Sequence, residues 1–330
     1  MLYLHGIGHF YPENVITNQF LEDLDIGTSE EWILERVGIR TRRTVLPLDY
    51  IKTTKNLNLK AAFEAALYNN IQTGAAAARM ALKRAGLKTE DIGMVISGSC
   101  APENLTPAES ATIAAELGID VVCFDINSAC SSFGMQINIL AGMRPETLPP
   151  FILIINPENF TRNVDYSDCS NAVLFGDGSS AAVVSATVPS RAYFMSCFGS
   201  SKPSSWEKVN IPRMSYFRQE GNAVQRFAIH KTTESLRILK ESFPANGDRL
   251  KFIGHQANLS MLNTVCERTG IASHNHWHNV EDYGNTGGSG APSVLSQHWD
   301  ELKPGYHVAI SLVGAGLTWT HMLLKVEGEE

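Results

Sequence analysis

Along the 330 residues, short wholly apolar runs alternate with longer stretches in which apolar side chains recur every three or four positions. That alternation predicts buried strands separated by amphipathic helices. In the first half, an Ala-rich helical stretch over 74–85 ends at Gly86, and an apolar strand follows over 92–97. A second helical stretch (108–117), a strand (121–126) and a helix opening just after Cys130 complete the unit, the last with Phe133, Ile137 and Leu140 on one face. The second half repeats the sequence of elements: helix 232–242, strand 250–254, helix 259–269, a segment over 275–280 and a helix of small residues opening after Asn285. Each half also ends in an apolar strand beside a glycine-rich turn, 179–184 with Gly176-Asp177-Gly178 and 307–313 with Gly314-Ala315-Gly316. This weak duplication predicts an α/β fold of two similar fused halves, residues 1–188 and 189–330, with equivalent strand ends meeting at one place. Residues 46–68 fit neither half and read as an inserted loop or helical excursion.

Composition narrows the class without naming a function. A hydrophobic fraction of 44% with 18% charged residues is that of a soluble globular protein. A net charge of −7 argues against a nucleic-acid surface, although a local basic patch could still receive an acidic partner. The six cysteines are scattered, with no C-x-x-C pair and no framework of the secreted kind, which points to a reducing cytoplasm. The opening Met1-Leu2-Tyr3-Leu4-His5-Gly6 reads as a first strand and not as a signal peptide. No run reaches the roughly 18 apolar residues that a membrane-spanning helix needs.

The chemistry concentrates in three segments, Asn127-Ser128-Ala129-Cys130-Ser131-Ser132-Phe133, Gly254-His255-Gln256-Ala257-Asn258 and Gly284-Asn285-Thr286-Gly287-Gly288. They place a cysteine, a histidine and an asparagine each at the exit of a strand-like run. A cysteine at a helix N-terminus beside an imidazole is a nucleophile, because unpaired N–H groups and a nearby cation favour the thiolate. The competing readings are a buried inert cysteine, a structural histidine and an asparagine that merely forms a turn. Only the predicted convergence of the three favours a site; the other five cysteines keep the inert reading. His274, His276 and His278 alternate as if on one face of a half-exposed strand, and without a carboxylate or cysteine at ligand spacing they are not expected to bind a metal.

The same three segments closely resemble the catalytic segments of β-ketoacyl-acyl-carrier-protein synthase III enzymes, which have the thiolase fold. The resemblance continues through Glu31-Trp32-Ile33-Leu34-Glu35-Arg36-Val37-Gly38-Ile39-Arg40, Phe175-Gly176-Asp177-Gly178, Gly221-Asn222 and Gly314-Ala315-Gly316-Leu317-Thr318-Trp319, and spans nearly the whole chain. It implies a five-layer αβαβα architecture, a homodimer, no resident cofactor or metal, and acyl groups delivered as phosphopantetheine thioesters by an acyl carrier protein. It also implies that Cys130 takes the acyl group, that His255 and Asn285 assist carbanion formation, and that the N–H groups of Cys130 and Ala315 form the oxyanion site. Trp32, Arg36 and Asn222 match residues that line the pantetheine tunnel.

Departures from the family pattern sharpen the expectation. Val37 stands where members using coenzyme A primers carry a threonine, and Cys169 and Ser260 replace two arginines that hold the nucleotide. Carrier-bound substrates are therefore expected in preference to coenzyme A, with Arg36, Arg40, Arg226 and Arg268, and also Arg42 and Arg43, as candidates for docking an acidic carrier. Thr106 replaces a large aromatic at the acyl pocket and leaves room for a longer chain. The segments His5-Gly6-Ile7-Gly8-His9-Phe10-Tyr11-Pro12-Glu13-Asn14 and Leu46-Pro47-Leu48-Asp49-Tyr50-Ile51 look like those of the ketosynthase/cyclases of bacterial dialkylresorcinol and stilbene pathways. That resemblance implies union of a β-ketoacyl thioester with an α,β-unsaturated one, by a Claisen and a Michael step, to a 2,5-disubstituted cyclohexane-1,3-dione. Glu158 is then the expected base. The rival readings are an ordinary synthase III that decarboxylates a malonyl thioester, a cysteine hydrolase, and a non-catalytic partner subunit.

Overall fold

The computed structural model describes residues 1–243 and 247–328. Nine strands form one mixed sheet: β1 (Leu2–Phe10), β2 (Met94–Ser97), β3 (Val122–Asp125), β4 (Ile152–Glu158), β5 (Gly178–Ser185), β6 (Ala192–Ser201), β7 (Leu250–Gly254), β8 (His307–Gly314) and β9 (Thr318–Val326). The helices that frame it are α1 (Glu30–Val37), α2 (Asn70–Ala85), α3 (Glu109–Leu117), α4 (Ser132–Gly142), α5 (Gly221–Ser242), α6 (Leu259–Thr269) and α7 (Gly290–Gln297). The strand order is β7-β8-β9-β6-β1-β5-β4-β2-β3. Within each half the third, second, fourth, fifth and first strands lie side by side, if the single parallel bridge between His276 and Phe252 stands for the third strand of the second half. The halves join where Leu2 to Leu4 of β1 pair antiparallel with Ala192 to Phe194 of β6.

This order decides which elements are equivalent, and it differs from the pairing suggested by the glycine-rich turns. β5 corresponds to β9, and β8 to β4, so 179–184 and 307–313 are not partners. The strands β6 and β9, which the apolar pattern did not separate, complete the second half. The segment over 275–280 is not a strand; a 3-10 turn at Ser273–Asn275 leaves only the bridge at His276. The helix expected over 232–242 begins at Gly221, and Val224, Phe227 and Ala228 already carry its apolar face through the first turns. The helix expected from 74 starts at Asn70, where Asn69 and Gln72 form a capping box that satisfies two backbone donors. Residues 46–68 are helical in part, at Leu48–Thr54 and Leu59–Ala65. The buried Asn56 between them pins the insertion by donating to the carbonyls of Arg162 and Val164 at 3.0 and 2.8 Å.

The layers follow from which helix faces are apolar. α4 contacts β4 of the first half and β6, β8 and β9 of the second, while α7 lies on β1, β5 and β7. These two form the central layer, and every residue from Gly290 to Ser296 in α7 is buried, as an inner helix of small residues requires. α2 covers β1, β4 and β5 on one outer face, and α5 covers β8 and β9 on the other, with α6 packed against α5. α2 can lie close because β1 has Gly6 and Gly8 under it: a Cβ at either would collide with the backbone carbonyls of Ala81 and Ala77. The result is the thiolase-type α/β architecture, and the central helices carry the N-terminal ends at which the site forms.

Candidate active site

Cys130 sits in the turn between β3 and α4. Asn127 Oδ1 accepts the Ala129 N–H at 2.8 Å, and Ser132 Oγ accepts the Ser128 N–H at 2.9 Å while donating to the Ala129 carbonyl at 2.7 Å. These bonds hold Ala129 at φ 52°, a left-handed conformation that costs a non-glycine residue about 1–2 kcal/mol. The turn is also tied across the halves, Ser131 Oγ meeting Thr318 Oγ1 at 2.7 Å. Gly314 makes the approach possible, since a Cβ there would stand 2.7 Å from the Ser128 carbonyl oxygen.

A cavity of about 360 Å³ opens onto Cys130, and His255, Asn285 and Ala315 share its wall. Trp32, Arg36 and Asn222 also line it, and the exposure of Trp32 and Asn222 places them toward the mouth. Between mouth and thiol the wall is largely apolar, with Val173, Phe175, Phe217, Ala228 and Met261. No aspartate or glutamate lines it among the described residues.

Each polar group around the thiol has a defined free donor or acceptor. His255 follows the last residue of β7; it lines the same cavity as Cys130 and favours the thiolate there, and its Nδ1 has no partner among the described residues. Asn285 is fixed by main-chain bonds to Leu174 and Gly176, and its Oδ1 accepts the Gly287 N–H at 3.0 Å. Its amide NH₂ therefore remains to donate. The backbone N–H groups of Cys130 and Ala315 make no main-chain hydrogen bond among the described residues, and that of Cys130 lies beside its own sulfur, so both are open to an incoming oxyanion.

The thiol is held well below the usual cysteine range, first by a contact with the Cys100 thiol at 3.7 Å, then by His255 and by its own backbone N–H, against the opposing effect of burial. Cys100 is pushed the other way, mainly by that same contact, and then by burial. Glu158, the last residue of β4, is raised to about 8 by burial and by the charge of Cys130. It does not reach the cavity. Its carboxylate is held behind the thiols by the N–H groups of Gly288 (2.9 Å) and Cys100 (3.0 and 3.1 Å). Gly287 passes so close that a Cβ would stand 2.9 Å from the carboxyl group.

Because Glu158 binds its proton more tightly folded than unfolded, the unfolded chain releases a proton first as pH rises, and the folded state loses stability between about pH 4.5 and 8. Glu158→Gln removes that term. Denaturant midpoints from pH 5 to 8 should therefore fall less steeply in the variant than in the wild type; parallel curves would mean that Glu158 does not titrate in this range.

The other expected site residues scatter. Arg226 and Arg268 are exposed, but Arg268 lies in a surface groove with His230, Glu234 and Arg237 on the outer face of α5 and α6, apart from the mouth. Arg40 is occupied by Glu281 and Asp282 at 3.2 and 3.0 Å. Arg42 is fully buried, donating to Asn18 and to the Val173 carbonyl, and cannot meet a carrier. Thr106 is exposed on the loop before α3 and does not line the cavity of a single chain. Of the three histidines read as one strand face, His274 pairs with exposed Asp248, and His276 stacks on Phe252. No group of three potential metal ligands occurs among the described residues, and no helix among them is long and apolar enough to cross a membrane. Cys100 is the group that sequence reasoning passed over; nothing local to it distinguishes it from the other scattered cysteines.

The chain's similarities agree with this geometry. The family model for 3-oxoacyl-[acyl-carrier-protein] synthase III matches residues 124–202, and the model for the C-terminal part of the same enzymes matches 239–326. A β-ketoacyl-[acyl-carrier-protein] synthase III of a Sulfurovum species is 29% identical over 98% of this chain and 95% of its own length, and that of Campylobacter curvus is 29% identical over 99% and 97%. Among solved structures, the 3-oxoacyl-[acyl-carrier-protein] synthase III of Aquifex aeolicus superposes with a TM-score of 0.87 at 28% identity, covering 98% of this chain and all of that one. The priming β-ketosynthase of the R1128 polyketide pathway gives 0.82 at 26% identity, over 100% of this chain and 97% of its own. The two family models fall on the stretches that carry Cys130 and the His255–Asn285 pair, and the likeness runs from end to end: the chain belongs to the 3-oxoacyl-acyl-carrier-protein synthase III family and is a condensing acyltransferase.

Proposed function

We propose that the chain joins an acyl group to a malonyl unit by decarboxylative condensation, with Cys130, His255 and Asn285 as its catalytic residues. The Cys130 thiolate attacks the carbonyl of an acyl thioester, the oxyanion rests on the N–H groups of Cys130 and Ala315, and as it collapses the carrier leaves as its thiolate, which takes a proton from solvent. A malonyl thioester then enters. As its carboxylate departs as CO₂, the electron pair of the broken C–C bond forms an enolate that His255 and Asn285 stabilise by hydrogen bonds. The enolate carbon attacks acyl-Cys130, the thiolate leaves, and a linear β-ketoacyl thioester is released.

The observation that carries this reading is the wall itself: it offers hydrogen-bond donors at the thiol and, among the described residues, no carboxylate base. Decarboxylation supplies a carbanion without proton abstraction, whereas the ring-forming union of two acyl thioesters needs a base for a C–H proton. Glu158, the base expected for that union, is held behind the thiols by backbone N–H groups. The relatives' names also favour the linear synthase. Product analysis tests the choice: with an acyl carrier thioester and malonyl carrier, a linear β-ketoacyl product forms. A β-ketoacyl carrier plus an α,β-unsaturated carrier thioester yields no cyclohexanedione without malonyl thioester; a ring from those two alone would overturn the reading and restore the cyclase.

An acyl carrier protein is the proposed substrate bearer, since Val37, Cys169 and Ser260 supply no charge for a nucleotide and Arg36 lies on the cavity wall close to the exposed Trp32. Arg36→Glu with Arg226→Glu should raise KM for carrier-bound substrates much more than for small pantetheine thioesters. Added salt should reproduce part of that effect, because exposed charges are screened beyond ~8 Å at physiological ionic strength. Equal losses on both substrates would assign the arginines to the tunnel or the fold. A second copy of the chain is the proposed partner at the other face, where edge strand β3 exposes Val122 and the nearby loop exposes Leu105 beside Thr106.

A further inference from the structure

We propose that Cys100 is a positioning residue for the nucleophile: its thiol donates a hydrogen bond to the Cys130 sulfur and holds it as the thiolate. The inference deepens the condensing reading above, but its main readout needs no substrate and so stands apart from the identity of the reaction.

The two sulfurs are 3.7 Å apart, within hydrogen-bonding distance for thiols. Geometry alone leaves either as donor, and the surroundings decide. Cys130 lies at the head of α4, with its own backbone N–H and the His255 imidazole beside its sulfur, all of which favour negative charge there. Cys100 faces the Glu158 carboxyl group, which disfavours a second negative charge. The proton of the pair therefore stays on Cys100. Glu158 is a second acceptor within its reach, but with its carboxyl group raised to about 8 it holds its own proton near neutrality, so the charged Cys130 sulfur is the stronger acceptor and Cys100 its donor. His255, Cys100 and Glu158 are the titratable groups that bear on Cys130, from the ends of β7, β2 and β4.

Glu158 then has a role that fits its position. Both of its oxygens accept the Cys100 N–H, and one also accepts the Gly288 N–H, so it fixes the backbone of the loop that presents the Cys100 sulfur. The thiol is presented from behind Cys130, off the cavity wall, which leaves the front of the nucleophile open to the thioester.

The test is the pH dependence of iodoacetamide alkylation of Cys130, resolved by peptide mass spectrometry so that Cys100 is scored separately. In Cys100→Ala the alkylation midpoint should rise by about one pH unit or more, which at pH below both midpoints lowers the rate at least about tenfold. In Cys100→Ser, whose hydroxyl still donates, most of the shift should be reversed. Acyl loading should follow the same pattern, with the variants converging on wild type at high pH. Superimposed alkylation profiles for wild type and Cys100→Ala would overturn the proposal. So would Cys100→Ser shifting as far as Cys100→Ala, because that result would trace the effect to packing. Should Cys100→Ala fail to fold, Cys100→Val, which keeps an apolar side chain there without a donor, carries the same comparison.

Discussion

Cys130→Ala, given a carrier-bound acyl thioester, should show no mass increase for an acyl-enzyme, and condensation should fall by about 10³-fold or more, the scale on which loss of a nucleophile acts. The fold should survive with a stability change of no more than about 1 kcal/mol, since the substitution removes one sulfur atom from a half-buried site and leaves the bonds of Asn127 and Ser132 that shape the turn. The left-handed Ala129 and the Ser131–Thr318 contact are likewise untouched. Acyl-enzyme forming at the wild-type rate would place the nucleophile elsewhere, and Cys100, 3.7 Å away, would be the first sulfur to examine.

His255→Ala and Asn285→Ala should divide the reaction. Each removes a hydrogen bond that the enolate needs, so condensation should drop by about 10²–10³-fold, the usual effect of deleting one donor at a developing oxyanion. Acyl loading should suffer much less, because the Cys100 contact and the backbone N–H at the head of α4 still favour the thiolate. Single-turnover mixing of enzyme with the acyl thioester, then with the malonyl thioester, resolves the two steps. An equal loss in both would make His255 simply the activator of the thiol and would leave Asn285 without a distinct part in the second step.

Much of the site was legible because strand-to-helix turns are local. The small and hydroxyl-bearing residues around Cys130, the glycine before His255 and the glycines after Asn285 each describe a tight exit from a buried strand, and the apolar period places those strands. The duplication further implied that the exits converge, and one cavity does receive all three side chains. Legibility ended where the local signal was shared by unlike structures. The alternating histidines at 274, 276 and 278 have the period of a strand face, yet the chain there makes only one bridge to β7. The charge of Arg42 marks a surface residue in most proteins, yet its guanidinium is held inside by a side chain 24 and a carbonyl 131 positions away.

By itself, then, the sequence determined the α/β class and the residues that meet at the strand exits, since both depend on patterns within a few dozen neighbouring positions. Only the tertiary structure decided what surrounds the thiol. Cys100 is 30 residues from Cys130, and the Glu158 carboxylate is fixed by N–H groups 58 and 130 residues away. Whether a carboxylate faces a cavity or is sealed behind a nucleophile depends on how β4, the loop after β2 and the glycine turn before α7 pack against one another. No pattern along the chain encodes that choice, because the groups that set the charge of each side chain come from elements brought together only when the sheet and its central helices close.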